Sequence, residues 1–252
     1  MRILPQTLVL TGCLNQIDWT RSTRMKQLVF DIAPAPQPSL ENFVVGLNGE
    51  VLATLHALLD GAIQERFVYL WGGVGCGKSH LLSGFAAASR THHLRSCLVA
   101  SMQMCSEDEA GQCDVILVDN VLGLDEPNQD RLFNIMNRLR DGSGLLIASG
   151  PYAPMHLNIR QDVASRLAQG LVFQVKCLSD DDKAQALMTH AQGRGFTLPR
   201  DVAAYLLKQW KRDLPSLMAV LEALDRYSLE AKRSITVPLA REVLALLPKS
   251  VP

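Results

Sequence analysis

Apolar positions follow two different spacings along the chain, and the switch between them divides it. Residues 50–64 place Val51, Leu52, Leu55, Leu58, Leu59 and Ile63 on one face of a 3.6-residue repeat, which predicts a helix. The unbroken apolar run Phe67-Val68-Tyr69-Leu70-Trp71 then predicts a strand covered on both faces. Further strands are expected at 96–100, 114–120, 144–149 and 171–175. A helix is expected at 128–140, with Leu132, Phe133, Ile135, Met136 and Leu139 facing inward. Strands alternating with helices predict an α/β fold, a parallel sheet sandwiched by helices. Past Leu178 only the helical spacing remains, over 181–193, 199–209, 214–229 and 237–247, so a small all-α unit should follow. Pro199 and Pro238 suit helix starts, and Gly193 and Gly195 suit a helix stop.

The turn after the first strand carries chemistry. Gly72-Gly73-Val74-Gly75-Cys76-Gly77-Lys78-Ser79 fits G-x-x-x-x-G-K-S residue for residue, and His80 opens the apolar helical stretch behind it. Glycines let backbone N–H groups turn toward phosphate oxygens, and the following helix adds the positive end of its dipole. Lys78 would reach the β- and γ-phosphates, and the Ser79 hydroxyl would join the Mg²⁺ shell. The buried run Val115-Ile116-Leu117-Val118 ends at Asp119, the carboxylate expected to hold Mg²⁺ through the nucleotide. The cofactor expected is therefore ADP or ATP with Mg²⁺.

Composition narrows the partners. Among 252 residues, 25 Lys and Arg balance 25 Asp and Glu, which argues against holding nucleic acid by bulk electrostatics. A DNA-binding patch would need Lys208, Lys211, Arg212, Arg226, Lys232 and Arg233, which read as a solvated helix face. The six cysteines form no C-x-x-C pair, so neither a disulfide framework nor a zinc site is expected, and the pattern suits a reducing compartment. His92-His93 reads as a solvated loop. No stretch approaches the roughly 18 apolar residues of a membrane span.

Residues 1–24 faintly resemble a lipoprotein signal ending at Cys13, but Pro5 and Gln6 interrupt the apolar stretch and Met25 offers an alternative start. They are expected to be a mispredicted or disordered extension. Residues 25–38 hold Gln27-Leu28-Val29-Phe30-Asp31-Ile32 and a linker carrying Pro34, Pro36 and Pro38. The alternating apolar side chains suit either a peptide that docks in a partner's groove or an edge strand of the main domain.

The segment Ser39-Leu40-Glu41-Asn42-Phe43-Val44-Val45-Gly46-Leu47-Asn48, the phosphate loop, the Asp119 strand, Gln129-Asp130-Arg131-Leu132-Phe133-Asn134 and Val163-Ala164-Ser165-Arg166-Leu167 occur in an order that resembles the DnaA-like AAA+ family. The resemblance covers about residues 25–248. It implies a P-loop AAA+ core over 39–177 and a helical lid over 178–252. It further implies Ser149 as the polar sensor at a strand end and Arg166 as an arginine finger supplied in trans. Gln27, Leu28, Phe30 and Ile32 resemble a sliding-clamp-binding hexapeptide, with Phe30 and Ile32 in place of leucines and Asp31 in place of proline.

The expectation that no C-terminal helix-turn-helix domain follows the lid separates the chain from the initiator itself. Together these features imply a cytoplasmic negative regulator that docks on the DNA-loaded sliding clamp and stimulates ATP hydrolysis by the DnaA initiator. Contact with DNA would be mainly indirect, through the clamp, and monomer and homodimer both stay open. Where hydrolytic relatives carry a second acid after the Mg²⁺-linked one, this chain has Asn120, so slow intrinsic hydrolysis is expected. The family's lid arginine aligns with Pro215, which cannot contact phosphate, so either Arg212 reaches over from the preceding turn or nucleotide state is sensed less tightly than in relatives. The alternative is an autonomous P-loop ATPase of the helicase-loader type.

Overall fold

A computed structural model of the chain describes residues 37–99, 106–142, 144–211 and 213–247. The clamp-peptide residues Gln27, Leu28, Phe30 and Ile32, the extension before them, and Arg212 lie outside the described residues.

Five strands, β1 (Phe67–Trp71), β2 (Ser96–Val99), β3 (Val115–Val118), β4 (Leu145–Gly150) and β5 (Leu171–Gln174), form one sheet in the order β2-β3-β4-β1-β5 with every pairing parallel. All four residues of β3 are buried, as a strand covered on both faces requires. Helices α1 (Gly49–Leu59) and α2 (Lys78–Thr91) cover one face, where Leu55, Leu81, Leu82 and Phe85 pack on Val68, Leu70 and Leu117. Helices α3 (Glu107–Gly111), α4 (Glu126–Asp141) and α5 (Gln161–Gln169) belong to the other face, where Leu132, Ile135, Met136, Val163 and Leu167 meet Ile116, Leu146 and Ala148. Tyr69 is fully buried on this side, and burial pushes its phenol pKa up, while its hydroxyl donates to the Tyr152 carbonyl at 2.9 Å. Four helices follow, α6 (Asp180–Gly193), α7 (Arg200–Gln209), α8 (Leu214–Ala231) and α9 (Val237–Leu246), and they pack mainly against one another.

Most elements fall within two residues of the pattern's expectation, and the differences have local causes. Helix α1 stops at Leu59 because Gly61 turns into the left-handed region at φ +70°, although Ile63 still packs on the core from the turn beyond. Helix α4 starts earlier than expected because the Asp125 carboxylate accepts from the Asn128 N–H at 3.0 Å and Pro127 fits the first turn. Helices α3 and α5 were not expected from the spacing.

The segment leading to the four helices is fixed by Asn48, which is 1% exposed. Its side-chain amide donates to the Lys176 carbonyl at 2.9 Å and accepts from the Lys176 N–H at 2.7 Å, across 128 residues of sequence. Asn48→Ala is expected to cost about 2 kcal/mol, because both bonds go and partly buried groups lose their partners. Thermal melting should show a fall of roughly 4–8 °C, and an unchanged midpoint would count against this role.

Candidate functional site

Three adjacent strands deliver the chemistry at their C-terminal ends. Strand β1 runs into the phosphate loop, β3 stops just before Asp119, and β4 carries Ser149. Ser149 is fully buried, and its hydroxyl donates to Asp119 Oδ1 at 2.6 Å while accepting from the Asn120 N–H at 2.9 Å. The two residues singled out on separate strands thus form one hydrogen-bonded pair. Asn120 itself lies in the left-handed region at φ +61°, which asparagine tolerates better than most residues.

The loop is shaped by two glycines in particular. Gly77 caps α2 from the left-handed region at φ +95°, and a Cβ there would lie 2.8 Å from the Phe43 ring. At Gly72 a Cβ would run into the Val175 carbonyl oxygen. No side chain caps the N-terminus of α2, so its first-turn N–H groups stay available to an anion. The Lys78 ammonium donates to the carbonyls of Gly72 and Gly73 at 2.7 and 2.8 Å. Partial burial lowers its pKa, and the negative charge of Asp119 acts in the opposite sense.

A cavity of about 260 Å³ opens beside the loop. Gly75, Cys76, Gly77, Lys78, Ser79 and His80 form one side of it, and Asn42, Phe43, Val44, Leu178 and Asp213-Leu214-Pro215 close it from the other. The Phe43 and His80 rings pack tilted, with centroids 5.7 Å apart, and His80 Nε2 lies 3.0 Å from the Ser39 carbonyl oxygen. Apolar walls beside an anion-accepting loop fit a base joined to phosphates. No cluster of three or more His, Cys, Asp or Glu suited to a metal occurs among the described residues. Ser79 and Asp119 are the side chains that could hold Mg²⁺ together with nucleotide oxygens, the usual arrangement for that ion.

The sequence reading missed the far wall of this cavity. Phe43 and Val44 lie in the Ser39–Asn48 segment that carries the family resemblance, but no motif assigns them or Leu178 to the site. Pro215, set aside as unable to touch phosphate, lines the cavity as an apolar surface in the first turn of α8. Val74, counted with the loop, points away and is 99% exposed.

A second departure concerns the cysteines. Cys76 and Cys177 are joined by a disulfide, where the spacing of the six cysteines predicts no disulfide framework. The two are 101 residues apart, and only the return of β5 beside the loop brings their Cα atoms to 4.1 Å. No local spacing could have announced them.

Arg166 stands elsewhere. It lies on α5, lines no part of the cavity, and rests its guanidinium over the Phe133 ring of α4, 4.6 Å from the centroid. Arg160 approaches the same ring at 5.6 Å but is paired with Asp130 and Asp162. Arg166 makes no ion pair among the described residues.

Comparison with known proteins gives two family matches. Residues 36–174 match the bacterial DnaA ATPase domain, and residues 180–244 match the lid domain of Hda. Domain III of the Thermotoga maritima replication initiation protein DnaA is similar with a TM-score of 0.67 at 20% identity, over 85% of this chain and 99% of that one. AMPPCP-bound DnaA from Aquifex aeolicus gives 0.66 at 20% identity, over 79% of this chain and 68% of that one. A point variant of Thermotoga maritima RuvB gives 0.63 at 14% identity, over 85% and 73%. At these identities the structural likenesses establish the fold alone, and with the two family matches it is an AAA+ α/β core with a helical lid.

Proposed function

The chain belongs to the family of bacterial DnaA ATPase domains, and on that premise we propose that it is a nucleotide-bound negative regulator of replication initiation. In this reading ADP or ATP with Mg²⁺ occupies the cavity beside Lys78, the base lying toward Phe43 and the lid. Gly77 and the uncapped first turn of α2 receive the phosphates, Lys78 neutralises them, and Ser79 and Asp119 complete the Mg²⁺ shell. Ser149 holds the Asp119 carboxylate in place.

The observation that carries the regulatory part of the reading is the position of Arg166. A guanidinium that lines no part of its own cavity and is seated on an aromatic ring suits a group offered to another subunit's phosphates. We take that subunit to be the DnaA initiator, whose ATP is then hydrolysed. Asn120 offers an amide where a water-activating carboxylate would sit, which favours a switch over a turnover engine for the chain's own site. The lid match adds the Hda type to this picture. Gln27, Leu28, Phe30 and Ile32 would tether the protein to the sliding clamp on DNA in the cytoplasm, raising the local concentration of Arg166 near the initiator.

The test is ATP hydrolysis by purified initiator with clamp loaded on DNA. Wild-type protein should accelerate it. Gln27→Ala with Leu28→Ala should remove most of that acceleration at limiting concentration while nucleotide binding persists, a loss of about 10²-fold if tethering supplies the effective concentration. If the wild type leaves the initiator unaffected and hydrolyses ATP alone, an autonomous ATPase of the helicase-loader type replaces this reading.

A further inference from the structure

The Cys76–Cys177 disulfide joins the phosphate loop to the segment that enters the cavity wall at Leu178. Cys76 belongs to the phosphate loop and is 5% exposed. Cys177 is exposed and lies between Lys176, which Asn48 clamps, and Leu178, which lines the cavity. Ser179 follows as the cap of α6, its hydroxyl accepting from the Asp182 N–H at 3.1 Å. The bond therefore ties the phosphate loop to the root of the lid. It also abuts Gly73, where a Cβ would meet both sulfurs at 3.5 and 3.6 Å, and the Gly73 carbonyl accepts from the Lys78 ammonium.

We propose that Cys76 and Cys177 form a reversible redox modification site that clamps the phosphate loop to the base of the lid and slows nucleotide exchange. The proposal rests on the nucleotide reading of the cavity. A ligand enclosed between the loop on one side and Leu178 with Asp213-Leu214-Pro215 on the other leaves when those walls separate. A covalent link between residue 76 and the neighbour of Leu178 opposes that separation without adding a contact to the ligand, so rates change more than affinity.

The chemistry balances with a low-molecular-weight disulfide as oxidant. The exposed Cys177 thiolate attacks one sulfur of RSSR, forming a mixed disulfide and releasing RS⁻. The Cys76 thiolate then attacks the Cys177 sulfur and expels the second RS⁻. The two cysteines lose two electrons and two protons, and the oxidant leaves as two RSH. An excess of small thiol runs both steps in reverse.

The experiment follows release of fluorescent ADP from the full chain, chased with unlabelled ADP. The protein is used reduced by a small thiol, oxidised by glutathione disulfide, and reduced again. Peptide mapping after alkylation identifies the linked cysteines. Mapping should connect Cys76 to Cys177, and release should slow about tenfold on oxidation, equivalent to about 1.4 kcal/mol of added barrier, and recover on reduction. Cys177→Ser should release at the reduced rate under both conditions. The proposal is overturned if mapping finds no such link, or if the linked protein releases at the reduced rate. Failure of the reduced protein to bind fluorescent ADP at all would instead remove the nucleotide reading and the proposal with it, even with the link formed.

Discussion

Arg166→Ala is expected to abolish stimulation of the initiator's ATPase, lowering the stimulated rate by about 10³-fold or more, the contribution typical of an arginine finger. The geometry makes this a clean test. Arg166 touches the core through the face of Phe133, a partly exposed cation–π contact worth about 0.5–1 kcal/mol, so its removal should barely change folding. It lines no part of the chain's own cavity, so binding of ADP should be unchanged. Arg166→Lys keeps the charge but loses the planar fork that engages two phosphate oxygens, and should restore only a small fraction of the rate. Stimulation retained in full by Arg166→Ala would remove the trans role from this residue.

Lys78→Ala should lower affinity for ADP by about 10²-fold, the effect of losing charge-assisted hydrogen bonds worth about 3 kcal/mol. Two effects must be kept apart in measuring it. The ammonium also satisfies the carbonyls of Gly72 and Gly73, and of these the Gly72 position is buried. The ligand-free protein should therefore lose about 1 kcal/mol of stability on its own account. Titration with fluorescent ADP reads the first effect, and thermal melting without nucleotide reads the second. Undiminished affinity in a folded variant would mean that the phosphates lie elsewhere.

The core was legible in the sequence because its signals are local. Four-residue apolar runs such as Val115–Val118 belong to strands buried on both faces, and G-x-x-x-x-G-K-S spells out its own backbone geometry. Helix α5 escaped because it is nine residues long, with only Val163 and Leu167 buried and Arg160, a residue without a capping side chain, at its start. Helix α3 is shorter still, yet its capping box was readable: Ser106 accepts from the Glu109 N–H at 3.2 Å and Glu109 accepts from the Ser106 N–H at 2.9 Å.

The far wall of the cavity was invisible for a different reason. Phe43, Leu178 and Pro215 are brought together by tertiary packing alone, and an apolar wall carries no spacing rule. The same holds for Cys76 and Cys177. Ser149 lay between these cases: its strand was plain from the pattern, but only the hydrogen bond to Asp119 distinguishes it from any polar residue at a strand end.

The left-handed backbone at Asn120 limits which side chains that position accepts. Of the two acids that could place a carboxylate there, aspartate shares asparagine's tolerance of that conformation, whereas glutamate would carry a strain of order 1 kcal/mol. Asn120→Asp should therefore leave the turn undisturbed, while Asn120→Glu should cost stability before any effect on catalysis is read.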